Sequence, residues 1–323
     1  MLDFLNPYYY GVRLRNWLYD RGLLKSCKLP VPVLSVGNLS VGGSGKSSLV
    51  YYLADFLSKS FRVCILSRGY RRRTRGTLLV SHRGRLLRSW QEVGDEPYML
   101  ARKLPEISLL VDEDRCRGAD FALRELKPEV ILLDDGFQHR KIHRDLNILL
   151  LKKKDLKDRL LPFGRLREPL GSMERADIIV LSYGELEDAN WMHPRKPTLR
   201  MLRERWRVVR SSDGGVIEDF LHMNFVAFAG LGDNSQFFKT LERLGIKVKK
   251  RLSFPDHYSY EGFKLAEGEA YLTTLKDAVK LPPSDKLYYL DFDVRVDGLK
   301  ELVYRCIIER LRVGSSAGRA TDS

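Results

Sequence analysis

The chain has 323 residues, with 56 Lys and Arg against 42 Asp and Glu, and its formal net charge is +14. This length allows one large domain or two smaller ones with a substantial core, and the charge favours anionic partners such as nucleotides, nucleic acid or an acidic membrane surface. No apolar run approaches the roughly 18 to 20 residues of a membrane-spanning helix and no cleavable signal pattern is present, so we expect the chain to stay in the cytoplasm.

Residues 1–30 combine aromatic and cationic side chains in a predicted amphipathic helix. Tyr10, Leu14, Trp17 and Leu18 fall on one helical face, and arginines and lysines are interspersed with them. This composition suits a lipid headgroup layer, where aromatic rings lie at the interface and cations meet anionic lipids. The alternative is an amphipathic helix that packs on the core. We favour attachment to a membrane surface, and both interpretations can hold in part.

A phosphate-binding P-loop is predicted within residues 33–48. A short apolar strand is followed by a loop rich in glycine and serine, and Lys46 and Ser47 then open a helix. Loop amides and the first amides of the helix have no partners and can bind phosphate, while Lys46 reaches the β- and γ-phosphates and Ser47 is placed for Mg²⁺. The predicted nucleotide-binding residues are Gly42, Gly43, Ser44, Gly45, Lys46, Ser47 and Ser48.

One position departs from the P-loop pattern G-x-x-x-x-G-K-[ST], because Ser40 stands where the pattern has glycine. The prediction therefore depends on the order of strand, loop and helix. The alternative is a Gly/Ser turn before an ordinary helix, but a Lys-Ser pair at a helix start has no packing rationale.

Five further apolar runs, at residues 63–66, 108–111, 130–133, 146–150 and 178–181, read as strands separated by helical stretches. Continuous apolar strands of this kind indicate a parallel sheet covered on both faces. The run at 130–133 ends in Asp134, which is typical of the Walker B carboxylate that holds Mg²⁺. The alternative is an acidic turn that faces solvent.

The sequence predicts an α/β fold, with a P-loop kinase-type, doubly wound, mostly parallel sheet and a second, smaller α/β domain. A polar, basic stretch at residues 194–215 marks the junction. We expect the membrane-surface helix at 1–30, the nucleotide- and substrate-binding domain at 31–205, the second domain with hinge strands at 206–297 and a C-terminal helix at 298–312. Residues 313–323 are predicted to be disordered or vector-derived.

The four cysteines, Cys27, Cys64, Cys116 and Cys306, lie far apart with no C-x-x-C spacing. This pattern predicts neither a zinc site nor a disulfide framework. We therefore expect buried thiols in a reducing compartment.

Several motifs occur together in one order: V-G-N-x-x-V-G-G-S-G-K-S at residues 36–47, S-R-G-Y at 67–70, V-G-D-E-P at 93–97, L-D-D-G-F-Q-H at 133–139 and R-L-R-E-P at 165–169. Over roughly residues 2–311 the chain resembles the tetraacyldisaccharide 4′-kinase family, the lipid A 4′-kinases of Gram-negative bacteria. The resemblance implies a kinase that moves the γ-phosphate of ATP to the 4′-hydroxyl of a tetraacylated glucosamine disaccharide 1-phosphate, giving lipid IVA. It also implies association with a membrane. Unlike many members of the family, this chain has no convincing N-terminal membrane span, so we expect peripheral attachment at the cytoplasmic face of the inner membrane, and we expect a monomer.

The resemblance implies site residues as well. Asp95 matches the position of the base and works with a histidine of the second domain, best matched by His257, which domain closure would bring to it. Without the resemblance, His257 reads as a surface-loop histidine. The catalytic residues are then Asp95, His257 and Lys46, and the Mg²⁺ ligands come from Ser47, Glu96 and Asp134. The residues assigned to the lipid substrate are Ser67, Gly69, Tyr70, Arg115, Asp135, Gln138, His139 and Arg167.

Two other classes of protein compete with this interpretation. A GTPase or metal-chaperone NTPase shares the P-loop and Walker B parts, but it should carry an Asn-Lys-x-Asp segment that reads guanine, and the sequence has none. A nucleic-acid binder would account for the charge, but no RNA- or DNA-reading motif is present. We therefore expect no nucleic-acid partner.

Overall fold

The structure, a computed structural model, describes residues 6–186 and 191–319, with side chains described up to residue 312. A nine-stranded sheet has the order β4-β3-β5-β2-β6-β1-β7-β8-β9. All neighbours from β5 through β9 in this order are parallel, and β3 is antiparallel to both β4 and β5. The strands are β1 (Val33–Asn38), β2 (Val63–Ser67), β3 (Leu78–His82), β4 (Arg85–Leu86), β5 (Ser108–Val111), β6 (Val130–Asp134), β7 (Leu146–Leu151), β8 (Ile178–Leu181) and β9 (Thr198–Arg200).

Helices cover both faces of this sheet. Successive strand residues point to opposite sides, so each continuous apolar strand presents an apolar surface on both faces. Leu34 packs in the same core as Leu53 and Val303, whereas Val33 packs with Ala119 on the other side. The doubly wound α/β fold predicted from the sequence is therefore confirmed. The α-helices of the described residues are α1 (Pro7–Asp20), α2 (Lys46–Ser58), α3 (Trp90–Val93), α4 (Asp95–Lys103), α5 (Arg115–Phe121), α6 (Asn234–Arg243), α7 (Leu275–Ala278) and α8 (Leu299–Arg319).

A second sheet of six strands has the order β11-β10-β15-β14-β12-β13. Strand β10 is antiparallel to β15, whereas β14 pairs parallel with β15 and β12, and β12 pairs parallel with β13. Its core contains Phe225 and Leu272, with Leu241 of α6 packed on them. The strands are β10 (Leu202–Arg210), β11 (Val216–Ile217), β12 (Asn224–Ala229), β13 (Lys247–Ser253), β14 (Ala270–Thr274) and β15 (Leu287–Arg295).

The basic stretch at 194–215 carries more regular structure than its composition predicts. It contains β9, at the edge of the first sheet, and β10, in the second sheet. The boundary placed between residues 205 and 206 thus falls inside β10. At the C-terminus α8 continues to Arg319, beyond the helix end predicted at residue 312, and residues 320–323 lie outside the described residues.

The expectation for the cysteines is wrong in one respect. Cys27 and Cys116 form a disulfide across a sequence separation of 89, because a β-bridge from Cys27 to Ile142 brings the segment before β1 beside the start of α5. Cys64 is a buried thiol, as predicted, and the thiol of Cys306 is partly buried. Among the described residues, no helix is both long and apolar enough to cross a membrane.

Candidate active site

The loop between β1 and α2 has the geometry of a phosphate cradle. Gly42 and Gly45 have φ of 92° and 82°, which glycine adopts without strain. Gly45 is the N-cap of α2, and a Cβ added there would lie 2.6 Å from Cε of Met201. No side chain caps this helix end, and the amides of its first turn lack intrahelical acceptors. The helix N-terminus is therefore available to an anion.

Hydrogen bonds and ion pairs with polar side chains hold this loop in place. Lys46 Nζ donates to Oδ1 of Asn38 at 3.1 Å and lies 3.7 Å from Asp135 Oδ1. The carbonyl of Gly43 accepts hydrogen bonds from Lys152 Nζ at 3.2 Å and from the Tyr183 hydroxyl at 3.3 Å. These contacts turn the carbonyl oxygen of Gly43 toward the protein.

Oxygen ligands suitable for Mg²⁺ converge beside the loop. The hydroxyl of Ser47 donates to Glu96 Oε2 at 3.2 Å. Asp134 is 2% exposed; its Oδ2 accepts from Ser67 at 2.8 Å, and its buried Oδ1 has no hydrogen-bond partner among the described residues. Burial, with the nearby charges of Glu96 and Asp135, raises the pKa of Asp134 to about 6. An unpartnered carboxylate oxygen of this kind fits a hard cation.

Within residues 6–186 and 191–319 there is no group of three or more His, Cys, Asp or Glu side chains arranged to bind a metal. Mg²⁺ in phosphoryl-transfer sites is typically bound by one or two carboxylates together with substrate phosphates. The pair Asp134 and Glu96, with Ser47, matches that smaller set.

Asp95 and His257 are in direct contact, although they are 162 residues apart. Nδ1 of His257 lies 2.8 Å from Oδ2 and 3.0 Å from Oδ1 of Asp95. Asp95 begins α4 and is 5% exposed, and His257 has a φ of 63° in the loop after β13. The sequence analysis assigned these residues to different domains, and the structure brings them together at the wall of one cleft.

Lysines that the sequence analysis did not identify surround Asp95. Lys280 Nζ lies 3.1 Å from Asp95 Oδ2, and Lys276 Nζ lies 3.8 Å from the same atom, 3.5 Å from Glu96 Oε1 and 2.9 Å from Asp256 Oδ1. Burial alone would raise the pKa of Asp95, but the hydrogen bond from His257 and the two lysine charges outweigh it and hold the pKa well below its ordinary value. The carboxylate is therefore ionised at neutral pH.

The P-loop, the Asp134 region and the Asp95–His257 pair line one cleft with a volume of about 580 Å³. At one end the cleft wall is aromatic: the guanidinium of Arg203 lies 4.7, 4.9 and 5.5 Å from the ring centres of Tyr183, Trp206 and Phe292. A wall of flat rings and a planar cation suits a nucleobase. No local sequence motif marks these residues, because they come from loops and strands of both sheets.

A family model described as "Tetraacyldisaccharide-1-P 4'-kinase" matches residues 3–308. The chain belongs to this family. Relatives named tetraacyldisaccharide 4′-kinase include one from Aquifex aeolicus, 56% identical over 94% of this chain and 98% of the relative, and one from Syntrophus aciditrophicus, 36% identical over 95% and 91%. The crystal structure of an "apo" form of LpxK from Aquifex aeolicus in complex with ATP matches with a TM-score of 0.87 and 55% identity, over 95% of this chain and 98% of that one.

These comparisons confirm the family and the kinase activity predicted from the motifs. Of the residues that the tetraacyldisaccharide 4′-kinase resemblance assigned to substrate, four line the cleft: Ser67, Tyr70, Asp135 and Arg167. Arg167 donates to both carboxylate oxygens of Asp135 at 2.9 Å. Burial would raise the pKa of Asp135, but Lys46 and Arg167 hold it below its usual range.

The other four assigned residues, Gly69, Arg115, Gln138 and His139, are not part of the cleft wall. Arg115 is 2% exposed and donates to the carbonyls of Asp112 and Asp134, and Gln138 donates to the carbonyl of Asn38. Burial, with the charge of Arg115, lowers the pKa of His139 to about 4. These contacts support the loops that carry Asp134 and Asp135, and a substrate role for the four residues stays a prediction.

Proposed function

We propose that the chain transfers the γ-phosphate of ATP to the 4′-hydroxyl of a tetraacylated glucosamine disaccharide 1-phosphate at a membrane surface. The observation that carries the proposal is that a phosphate cradle and an Asp95–His257 pair face the same cleft. Phosphoryl transfer depends mainly on positioning and on charge stabilisation, and the cleft supplies groups for both.

In this proposal the N-terminus of α2 and Lys46 bind the triphosphate. Asn38 holds the ammonium of Lys46 at 3.1 Å, at the carboxyl end of β1. Ser47, Glu96 and Asp134 would hold Mg²⁺, which when bound neutralises phosphate oxygens and orients the triphosphate. The aromatic wall at Trp206 and Phe292 would receive the adenine.

The Asp95–His257 pair accepts the proton of the acceptor hydroxyl. Because Asp95 is ionised and takes a hydrogen bond from Nδ1, we infer that His257 carries its proton on Nδ1 and presents Nε2 as the acceptor. Nε2 lies 3.6 Å from Asp256 Oδ2, and both residues line the cleft. General-base assistance of this kind contributes about 10²- to 10⁴-fold to the rate.

The direct test of this function is transfer of labelled γ-phosphate from ATP to a purified disaccharide 1-phosphate in detergent, with the position of the new phosphate determined by mass spectrometry. The expected product carries phosphate at the 4′ position. Release of free phosphate with no labelled lipid would instead favour an NTPase, and phosphorylation at another hydroxyl would overturn the assigned acceptor.

Helix α1 would bring the protein to the membrane. Tyr10, Leu14 and Trp17 are 54%, 58% and 47% exposed, so three of the four residues of the apolar face identified in the sequence point away from the protein, while the fourth, Leu18, is partly buried. The same helix is tied to the acceptor side of the cleft, since the Tyr8 hydroxyl donates to the carbonyl of Arg167 at 2.8 Å. A lipid held at α1 would therefore reach Arg167 with its sugar.

The attachment is tested by flotation with anionic liposomes. The double variant Leu14→Glu with Trp17→Glu should lose flotation, as should deletion of residues 1–24. The matched control is Val216→Glu with Leu221→Glu, which places two charges at exposed apolar positions of the second sheet region. If the α1 double variant floats as well as this control, α1 is not the membrane anchor.

A further inference from the structure

Lys280 is a fully buried lysine behind the catalytic pair. Its side chain has no exposed surface, and its ammonium has three oxygen acceptors: Asp95 Oδ2 at 3.1 Å, Asp277 Oδ1 at 3.3 Å and the carbonyl of Tyr258 at 3.1 Å. The ring centre of Tyr260 lies 5.6 Å from Nζ. An ammonium has three donors, so this set of oxygens accounts for all of them. Lys280 is not among the residues of the cleft wall, and it is not placed to touch substrate.

The partners of Lys280 belong to both halves of the catalytic pair. Asp95 lies on α4, which packs against the first sheet, whereas Tyr258 follows His257 in the loop after β13. His257 has a φ of 63°, a conformation that a residue other than glycine adopts only when its surroundings impose it. The hydrogen bond to the Tyr258 carbonyl is one such constraint.

The third partner ties Lys280 to the second sheet. Asp277 is fully buried, and its Oδ2 accepts from the amide of Gly230 and from the hydroxyl of Thr274, both at 2.9 Å. The lysine therefore extends from a rigid base between β12 and β14. Lys276 differs, because it lines the cleft, where its ammonium lies near the carboxylates of Asp95, Glu96 and Asp256.

We propose that Lys280 is a positioning residue for phosphoryl transfer, which holds the Asp95 carboxylate and the loop of His257 in the geometry in which they meet. This proposal rests on the proposed function. Without the ammonium, a buried carboxylate loses a partner and can turn away from Nδ1, and the His257 loop loses one of its anchors. The chemical step should suffer, whereas the P-loop, which Lys280 does not touch, should bind nucleotide as before.

The test is Lys280→Ala, assayed at a saturating concentration of lipid acceptor over a range of ATP concentrations. We expect kcat to fall by about 10²-fold, the effect of a misplacement of about 1 Å in a reacting group, while the KM for ATP changes by less than about threefold. Ethylammonium should restore part of kcat in a saturable manner because it can occupy the space of the missing side chain and donate to the same oxygens. Ethanol, which carries no charge, should not.

Leu281→Ala is the matched control, because Leu281 is a buried neighbour in the adjoining apolar core and its truncation leaves a cavity while Lys280 stays in place. It should lower thermal stability but keep kcat within about threefold of wild type, with no response to ethylammonium. If Lys280→Ala does not fold, Lys280→Gln replaces it, with kcat compared in the same way.

Three results would overturn the role: near-wild-type kcat in a folded Lys280 variant, equal rescue by ethanol, or a fall in kcat matched by Leu281→Ala. Failure of the wild-type protein to phosphorylate the lipid would refute the proposed function itself and is seen before any variant is made.

Discussion

Asp134→Asn should make the protein more stable at neutral pH while it removes activity. Asp134 ends a fully buried strand, and one of its carboxylate oxygens has no hydrogen-bond partner among the described residues. Keeping a charge there costs free energy, which appears as the raised pKa. An amide has nearly the same shape, can still accept from Ser67 and carries no charge.

The magnitude follows from the pKa. Burial, with the charges of Glu96 and Asp135, moves the pKa of Asp134 from 3.8 to about 6, and each unit corresponds to about 1.4 kcal/mol, so the penalty is about 3 kcal/mol at pH 7.5. The folded-state pKa lies above the unfolded one, so the penalty is complete above pH 6. It shrinks as the pH falls toward 3.8, because the folded carboxyl then takes up a proton.

Urea unfolding in EDTA at a series of pH values measures this difference. Asp134→Asn should be more stable than wild type by about 3 kcal/mol at pH 7.5, and the two curves should converge near pH 4. Asp135→Asn is the control, because the pKa of Asp135 is held below its usual range by Lys46 and Arg167, and this variant should lose stability at neutral pH. Equal urea midpoints for wild type and Asp134→Asn at pH 7.5 would refute the reasoning, as would a difference in stability that does not change with pH.

Three further predictions concern other parts of the chain. Asp95→Asn should lower kcat by about 10²- to 10⁴-fold with unchanged Kd for a non-hydrolysable ATP analogue by calorimetry, and normal turnover would remove the residue from the mechanism. Lys152→Met should raise the KM for ATP and preserve kcat at saturation, because the Gly43 carbonyl loses its 3.2 Å donor; an unchanged KM would contradict this. Cys116→Ser should lower the free energy of unfolding by about 4.6 kcal/mol, the value that the chain-entropy model gives for a separation of 89 residues from Cys27. It should leave kcat unchanged. A denaturant midpoint equal to that of the oxidised wild type would argue against a stabilising crosslink.

Local patterns predicted the first sheet well, because each of its central strands is buried on both faces and reads as a continuous apolar run. The observed bounds of β5, Ser108–Val111, and β8, Ile178–Leu181, agree with the predicted runs. Strand β10 was missed because five of its nine residues, LRERWRVVR, are charged, and an irregularity between Glu204 and Arg207 breaks the alternation that would mark a strand. Its arginines pair with carboxylates of β15, as Arg207 does with Asp291. The sequence pattern does not reveal these ion pairs, because they form only when the two strands lie side by side.

The site was predictable where one short segment contains its geometry, as in the loop that ends at Lys46. The Asp95–His257 contact joins residues 162 apart, and no spacing rule connects them; only the family motifs pointed to it. Lys276 and Lys280 carried no signal, because two lysines on a short helical segment usually mark a solvated face. The tertiary fold buries Lys280 by presenting three oxygens to it, which sequence patterns do not encode.

Asp134 and Asp135 show why adjacent, chemically identical residues need the structure to be told apart. Asp134 closes β6, where burial and the charges of Glu96 and Asp135 raise its pKa more than Lys46 lowers it. Asp135 has a φ of 52°, which turns the chain out of the strand and directs its side chain to Lys46 and Arg167. One carboxylate is neutralised by cations already present, and the other keeps an oxygen without a partner. Because an unpartnered carboxylate oxygen suits a hard cation, we propose Asp134 as the Mg²⁺ ligand and Asp135 as the residue that orients Lys46 and Arg167.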